Sequence, residues 1–90
     1  MKSINELEQA FIKAKEQQMP ICVALSIPNQ KSDELIINAY ESLDSKLEYY
    51  KKTYNTNLTH KNNEKIKIKD VFPIMFYYDE IDKEISEDQE

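Results

Sequence analysis

The 90-residue sequence contains no glycine and no arginine, and Cys22 is its single cysteine. Without glycine, the chain lacks the glycine-rich loops that hold phosphates in P-loop and dinucleotide-binding proteins. Because all 12 basic residues are lysines, the bidentate contacts of arginine to carboxylates, phosphates and guanine are excluded. A single cysteine excludes an internal disulfide and a multi-cysteine zinc site, and it agrees with a reducing compartment.

Long apolar runs are also missing. No run approaches the roughly 20 residues that a membrane-spanning helix needs, and residues 2–16 are polar and helix-forming, unlike a cleavable signal. With 40% hydrophobic residues and six tyrosines, the chain has enough apolar surface for one core. We therefore expect a single cytoplasmic domain over residues 1–86 that does not contact membranes, followed by a mobile acidic tail over 87–90.

The net charge of −5 is unevenly distributed. Residues 79–90 contain seven acidic residues and one lysine, whereas the preceding residues contain ten acidic residues and 11 lysines. The sequence thus predicts a nearly neutral body with an acidic end. That end is either a solvated face that keeps the protein soluble, or a docking surface for a basic groove on a partner. On a helix, four of its acids lie opposite Tyr77, Ile81 and Ile85: Glu80, Glu84, Glu87 and Asp88.

The first half of the chain has one helical and two strand-like segments. Ser3 and Glu6 match a capping box, and an apolar stripe predicts a helix over residues 3–17: Ile4, Leu7, Phe11 and Ala14. Residues 20–28 alternate large and small side chains, which predicts a central strand covered on both faces. Its large side should meet helices, and its small side, with Cys22 and Ala24, should allow close approach of another element. Residues 34–40 predict a second strand in an antiparallel hairpin.

The second half begins with a helix that Ser42 should cap and that ends near Asn55. Its predicted stripe is Leu43, Leu47, Tyr50 and Tyr54. The alternation of Lys65 to Lys69 predicts an edge strand whose lysines face water. Residues 71–78 suit a strand or a helix, and we favour a short helix over 75–86. The expected fold is α+β, in the order α-β-β-α-β-α. A three-stranded, mostly antiparallel sheet in the order 2-1-3 should carry its helices on one face.

The residues that could perform catalysis do not form a recognisable pattern. His60 lies in a polar loop without a spaced nucleophile, and Cys22 has apolar neighbours instead of the cations that activate a thiol. We therefore expect no enzymatic activity, no metal site and no cofactor. Tyrosines among lysines could bind nucleic acid, but the missing arginine and the negative charge disfavour it. Tyr49 and Lys52 remain candidates for contact with a protein partner.

Three short motifs resemble a group of small phage and prophage proteins of low-GC Gram-positive bacteria. They are the strand motif Glu34-Leu35-Ile36-Ile37-Asn38, the helix motif Lys46-Leu47-Glu48-Tyr49-Tyr50, and Tyr54-Asn55 through Leu58. Many members of that group carry a glycine near the third strand, which this chain lacks. The resemblance implies a small accessory protein made inside a bacterial host.

Together these features predict a non-enzymatic, phage-type accessory protein. It should bind, and thereby inhibit, a host or defence macromolecule, with a host or phage protein expected as the partner. The alternative is a module that sequesters a small molecule or nucleotide in a pocket at the interface of a homo-oligomer.

Overall fold

The computed structural model describes residues 2–74. In chain order, helix α1 (Ile4–Glu16) precedes strands β1 (Ile21–Ser26) and β2 (Glu34–Asn38). A single 3-10 turn (Tyr40–Ser42) leads into helix α2 (Leu43–Thr53), which precedes strands β3 (Thr59–His60) and β4 (Asn63–Pro73). Residues 71–73 are therefore strand. The predicted helix over 75–86 and the predicted tail over 87–90 lie outside the described residues.

The described strands form one antiparallel sheet in the order β2-β1-β4-β3. The α+β class, the antiparallel pairing and the central position of β1 are confirmed. The expected three strands in the order 2-1-3 were wrong, because Thr59 and His60 add a fourth strand at the edge. The expectation of a lysine-bearing edge strand was also wrong, since β4 pairs with β1 on one side and with β3 on the other. Lys65, Lys67 and Lys69 are nevertheless exposed to water.

A bulge in β4 determines which of its side chains reach the core. Leu25 of β1 pairs with Ile68, but Ala24 pairs with Asp70, so Lys69 is an extra residue between them. Because side chains alternate along a strand, this insertion lets both Ile68 and Val71 point to the same face. Both are buried there.

Both helices pack on that face of the sheet. The predicted stripe of α1 and the Leu43, Leu47 and Tyr50 stripe of α2 are confirmed, with Ile4 and Leu47 partly buried and the others buried. Tyr54 is buried too, but it lies just past the end of α2 in extended conformation and pairs with His60, so the predicted helix end near Asn55 was wrong. Val23 and Leu25 of β1 are buried against them, as predicted. Phe11 and Tyr50 join the two helices through an edge-to-face contact, with ring centroids 5.8 Å apart.

The starts of both helices differ from the predicted caps. Ser3 and Ser42 precede α1 and α2, but neither side chain caps a helix amide. Instead, the amide of Ile4 donates to the carbonyl of Thr56 at 2.9 Å. The Glu6 carboxylate accepts from the amide of Lys2, one residue earlier than a capping box requires. The amide of Glu6, which a serine cap would bind, donates instead to the carbonyl of Ser3 at 3.1 Å.

Because the chain lacks glycine, other residues take left-handed backbone conformations, and within residues 2–74 these are Gln18, Asn29 and Leu58. Gln18 follows α1, where the amide of Met19 donates to the carbonyl of Ala14 and the amide of Gln18 donates to that of Lys15. These two bonds form the Schellman motif, in which glycine is the usual residue at the left-handed position.

Candidate functional site

The face of the sheet opposite the helices carries a second set of apolar side chains. Cys22 of β1 lies between Ile37 of β2 and Phe72 of β4. Two positions along, Ala24 lies between Leu35 and Asp70. Because directly paired residues project to the same side of an antiparallel sheet, these six side chains share one surface. We call it the open sheet face.

The open sheet face has a buried floor and exposed walls. Cys22 and Ala24 are buried, while Leu35 is 62% exposed, Ile37 46% and Phe72 40%. The floor residues are small and lie in the middle strand, so the larger side chains of the two neighbouring strands shield them. The result is a shallow apolar groove about 10 Å wide, which is two strand spacings.

Toward the start of β4 the same face becomes basic. The pairing of Ser26 with Lys67 places that lysine on the open sheet face, and Lys65 follows by alternation. Lys69, the bulge residue, forms an ion pair with Asp33 at 3.1 Å. Since Asp33 precedes β2, this contact crosses β1 near its end. We call Lys65, Lys67 and Lys69 the lysine row. The groove therefore has apolar side chains and the carboxylate of Asp70 at one end and lysines at the other.

Cys22 is a poor nucleophile in this position. Burial raises the pKa of its thiol, and the carboxylate of Asp70 raises it further. A raised pKa keeps the thiol protonated at neutral pH, whereas reactive cysteines need a thiolate. The structure thus supports the interpretation of Cys22 as a packing residue.

His60 is the last residue of β3, where the hairpin to β4 begins. Its Nδ1 accepts from the amide of Asn62 at 3.0 Å, and its ring contacts Tyr54 edge-on at 5.1 Å between centroids. The neighbouring Thr59 hydroxyl donates to Oδ1 of Asn57 at 2.6 Å and accepts from Asn55. These groups fix the loop around an open polar depression of about 530 Å³. Across residues 2–74, no three histidine, cysteine or acidic side chains group as metal ligands would.

The remaining predicted site residues fall into two groups. Tyr49 and Lys52 are exposed and three residues apart on α2, which places them on neighbouring parts of the helix surface. The ring of Tyr49 packs edge-on against Tyr50, with centroids 5.2 Å apart. The predicted acidic docking residues lie outside the described residues: Glu80, Glu84, Glu87 and Asp88.

The sequence interpretation missed the exposed walls of the open sheet face. A signal was present in residues 34–40, because Leu35, Ile36 and Ile37 are consecutive apolar residues. A strand with one solvated face alternates apolar and polar residues, so this run indicated apolar side chains on both faces. Ile36 faces the helices and packs against the core, whereas Leu35 and Ile37 project to the other side.

No protein-family model, curated protein or solved structure matches this chain significantly. Within the described part of the chain, no helix has the length and apolar character needed to cross a membrane.

Proposed function

We propose that this chain is a non-enzymatic accessory protein of the phage type that binds and inhibits a basic host or defence protein. Its acidic end, residues 79–90, is the proposed docking surface. The inhibitory role rests on the resemblance of the strand and helix motifs to small phage proteins. The binding role rests on the surface of the folded body.

The observation that carries the proposal is the exposure of Leu35, Ile37 and Phe72 on one continuous surface. Exposed apolar clusters rimmed by charge mark interaction sites in soluble proteins. Phe72 is also the last residue but one of β4, so the chain leaves the sheet beside this surface, six residues before Asp79. A chain that carries both this apolar cluster and seven acids within residues 79–90 suits a partner with basic side chains, because complementary charge accelerates association and selects the partner.

The test is capture of a partner from bacterial lysate by the full chain, with two matched charge variants. The first variant replaces the acidic docking residues by amides: Glu80→Gln, Glu84→Gln, Glu87→Gln and Asp88→Asn. The control removes four exposed acids of the folded body instead: Glu16→Gln, Glu41→Gln, Glu48→Gln and Glu64→Gln. Both variants change the net charge equally. Only the first should lower the affinity for a basic protein, by at least tenfold.

Binding should also weaken as salt rises, because exposed charges are screened within about 8 Å at physiological ionic strength. Equal affinity of both variants for the captured protein would show that the acidic end only solubilises the chain. Loss of binding with Tyr49→Ala and Lys52→Ala alone would move the docking surface to α2 and overturn the assignment to the acidic end. A nucleotide or other small molecule bound stoichiometrically to the purified chain, without a protein partner, would support the sequestering alternative instead.

A further inference from the structure

The two outer edges of the sheet are protected to different degrees. An unpaired edge offers backbone N–H and C=O groups to any extended chain, and proteins block such edges with bulges, prolines, lysines or very short strands. One edge consists of β3, which has two residues, and of the part of β4 beyond it. The other edge is β2, which has five residues and exposed apolar side chains at Leu35 and Ile37.

The edge formed by β3 and β4 carries several of these blocks. Lys69 is the bulge residue of β4, and Pro73 at the end of the strand has no backbone N–H. The amide of Val71 donates to Oδ1 of Asp70 at 2.8 Å, so the side chain of its own neighbour takes the place of another strand. An extended chain would therefore find no continuous row of unbonded groups along the described part of this edge.

The hydrogen bonds of β1 show which backbone groups of β2 point outward. The amide of Ile74 donates to the carbonyl of Pro20 at 3.0 Å. Because hydrogen-bonded and non-hydrogen-bonded pairs alternate, Cys22, two positions along, also directs its backbone groups toward β4. The neighbours of Cys22 therefore bond toward β2, and in agreement the Nδ2 of Asn38 donates to the carbonyl of Ile21.

In β2 it follows that Glu34, Ile36 and Asn38 direct their backbone groups toward β1. The N–H and C=O groups of Leu35 and Ile37 point away from the sheet, and no group within residues 2–74 binds them. We call this row of outward groups the β2 edge. The strand has no lysine, proline or bulge, so the β2 edge is open to a further strand.

β2 is complementary to itself in one antiparallel register. With Ile36 at the centre, Leu35 of each copy lies opposite Ile37 of the other copy. These two residues carry the outward groups, so both pairs are of the hydrogen-bonded kind. Their side chains also meet as apolar pairs on the open sheet face, and such cross-strand pairs stabilise a sheet.

Charge favours the same register. In it, Glu34 lies opposite the uncharged Asn38 of the second copy, and no like charges face each other. Moving the centre of the pairing to Leu35 would place the apolar Ile37 opposite Asp33. A second copy of β2 therefore supplies matching side chains as well as matching backbone groups, which an arbitrary strand does not.

We propose that this chain forms a two-fold symmetric dimer through antiparallel pairing of two β2 strands, centred on Ile36. The two four-stranded sheets then become one continuous sheet, and the two open sheet faces become one surface with Leu35 and Ile37 of both copies at its middle. A two-fold arrangement uses both β2 edges, so association stops at the dimer. The inference goes beyond the proposed function and does not depend on it, because it needs neither a host protein nor the acidic end.

The dimer should be weak. Five strand residues extend about 17 Å, and pairing along this length buries less than the roughly 800 Å² per partner of a standard interface. We therefore expect a dissociation constant in the micromolar range and rapid exchange between monomer and dimer.

Sedimentation equilibrium of the full chain, from low micromolar to millimolar concentration, measures this association. The wild type should pass from monomer to dimer and form no larger species. Leu35→Lys and Ile37→Glu each place a charge opposite an apolar side chain in both halves of the interface, so each should raise the dissociation constant at least about tenfold. Both side chains are exposed in the monomer, and circular dichroism checks that the variants keep the fold.

Mixing variants tests the register. When Leu35→Lys in one copy lies opposite Ile37→Glu in the other, opposite charges face each other, so this mixture should associate at least about fivefold more tightly than either variant alone. The matched control mixes Leu35→Lys with Leu35→Glu, which brings no such pair together, and should stay within about twofold of the separate variants. Equal association of the two mixtures would overturn the proposed pairing.

Phe72→Lys separates edge pairing from stacking of two open sheet faces. Phe72 is 40% exposed on the same face, but it lies in β4, and β1 separates it from β2. A dimer through the β2 edge should tolerate this substitution, with a dissociation constant within about twofold of wild type. An increase as large as that caused by Leu35→Lys would assign the contact to the face and contradict the proposal.

Amide hydrogen exchange of the wild-type chain decides the question without any variant. The amides of Leu35 and Ile37 should exchange at least about threefold more slowly at millimolar than at low micromolar concentration, because they gain acceptors only in the dimer. The amide of Val71, which already donates to Asp70, is the internal control and should not depend on concentration.

Two results with the wild-type chain would overturn the proposal. One is a chain that stays monomeric at millimolar concentration. The other is slow exchange of Leu35 and Ile37 at every concentration, which would show that a segment of the same chain covers the β2 edge.

Discussion

Asn38 is the one buried polar residue of the described core. Both the nitrogen and the oxygen of its side-chain amide form hydrogen bonds. Its Nδ2 donates to the carbonyls of Ile21 and Ile36 at 3.4 and 3.3 Å, and its Oδ1 accepts from the hydroxyl of Tyr50 at 3.5 Å. Burial raises the pKa of Tyr50, so this hydroxyl remains a donor. Buried polar groups are tolerated when their partners are present, and here the bonds tie β2 to β1 and α2.

Tyr54 should make the protein sensitive to alkali. Burial of its side chain, followed by the nearby Tyr49, Tyr50 and Glu34, raises its pKa to about 12. In the unfolded chain a tyrosine ionises near pH 10. The folded state therefore holds this proton more tightly, and the resulting stability is present below pH 10 and is lost as the pH rises to about 12. We expect Tyr54→Phe to reduce that alkaline loss by up to about 2–3 kcal/mol.

Urea unfolding at intervals from pH 8 to pH 12 measures this effect. Tyr40 supplies the control, because it is not among the groups that raise the pKa of Tyr54, so Tyr40→Phe should leave the alkaline slope close to that of wild type. Identical slopes for wild type and Tyr54→Phe would show that ionisation of Tyr54 is not linked to unfolding.

The end of α1 carries a local cost that a single substitution can relieve. Gln18 has φ of 56° at the left-handed position of the Schellman motif, where a residue with Cβ is disfavoured by about 1–2 kcal/mol. Glycine avoids this cost but adds backbone entropy to the unfolded chain. We expect Gln18→Gly to stabilise the protein by about 0.5–1 kcal/mol in denaturant melts.

The adjacent Gln17 provides a matched control for this substitution. Its φ of −91° is accessible to any residue, so Gln17→Gly should bring only the entropic penalty and destabilise the protein slightly. A loss of stability with Gln18→Gly as large as that with Gln17→Gly would mean that the left-handed geometry costs this helix nothing.

For the whole molecule, β1 is the strand on which the fold depends. It pairs with β2 and β4, and its large side chains meet both helices in one core. Leu25→Ala should therefore lower the free energy of unfolding by about 2–5 kcal/mol, a large share of the roughly 5–15 kcal/mol that stabilises a typical domain. Chemical denaturation monitored by circular dichroism measures the loss.

Ile12→Ala is the control for this core substitution, since Ile12 is 42% exposed on α1 and should change stability by about 0.5 kcal/mol or less. Equal effects of the two substitutions would be inconsistent with a core centred on β1.

The amphipathic elements of this protein could be predicted because their signals are local. The stripe of Leu7, Phe11 and Ala14 has the period of a helix, and the alternation from Ile21 to Ser26 has that of a strand. Each buries the face that its pattern indicated. The same alternation predicted a strand covered on both faces, whereas among residues 2–74 the helices cover only the side of Val23 and Leu25, and Cys22 and Ala24 line the open sheet face. Composition alone excluded glycine-rich phosphate loops and bidentate arginine contacts, because the chain has no glycine and no arginine.

The features that the sequence did not predict all depend on contacts between distant segments. Strand β3 has two residues, too few to show a periodic pattern. It forms because its backbone pairs with the edge of β4. The bulge at Lys69 follows from the register between β1 and β4, and a register is set by packing across the sheet. Whether Leu35 and Ile37 are buried depends on which face the helices occupy. Local periodicity marks an apolar face, but only the assembled tertiary structure determines what covers it.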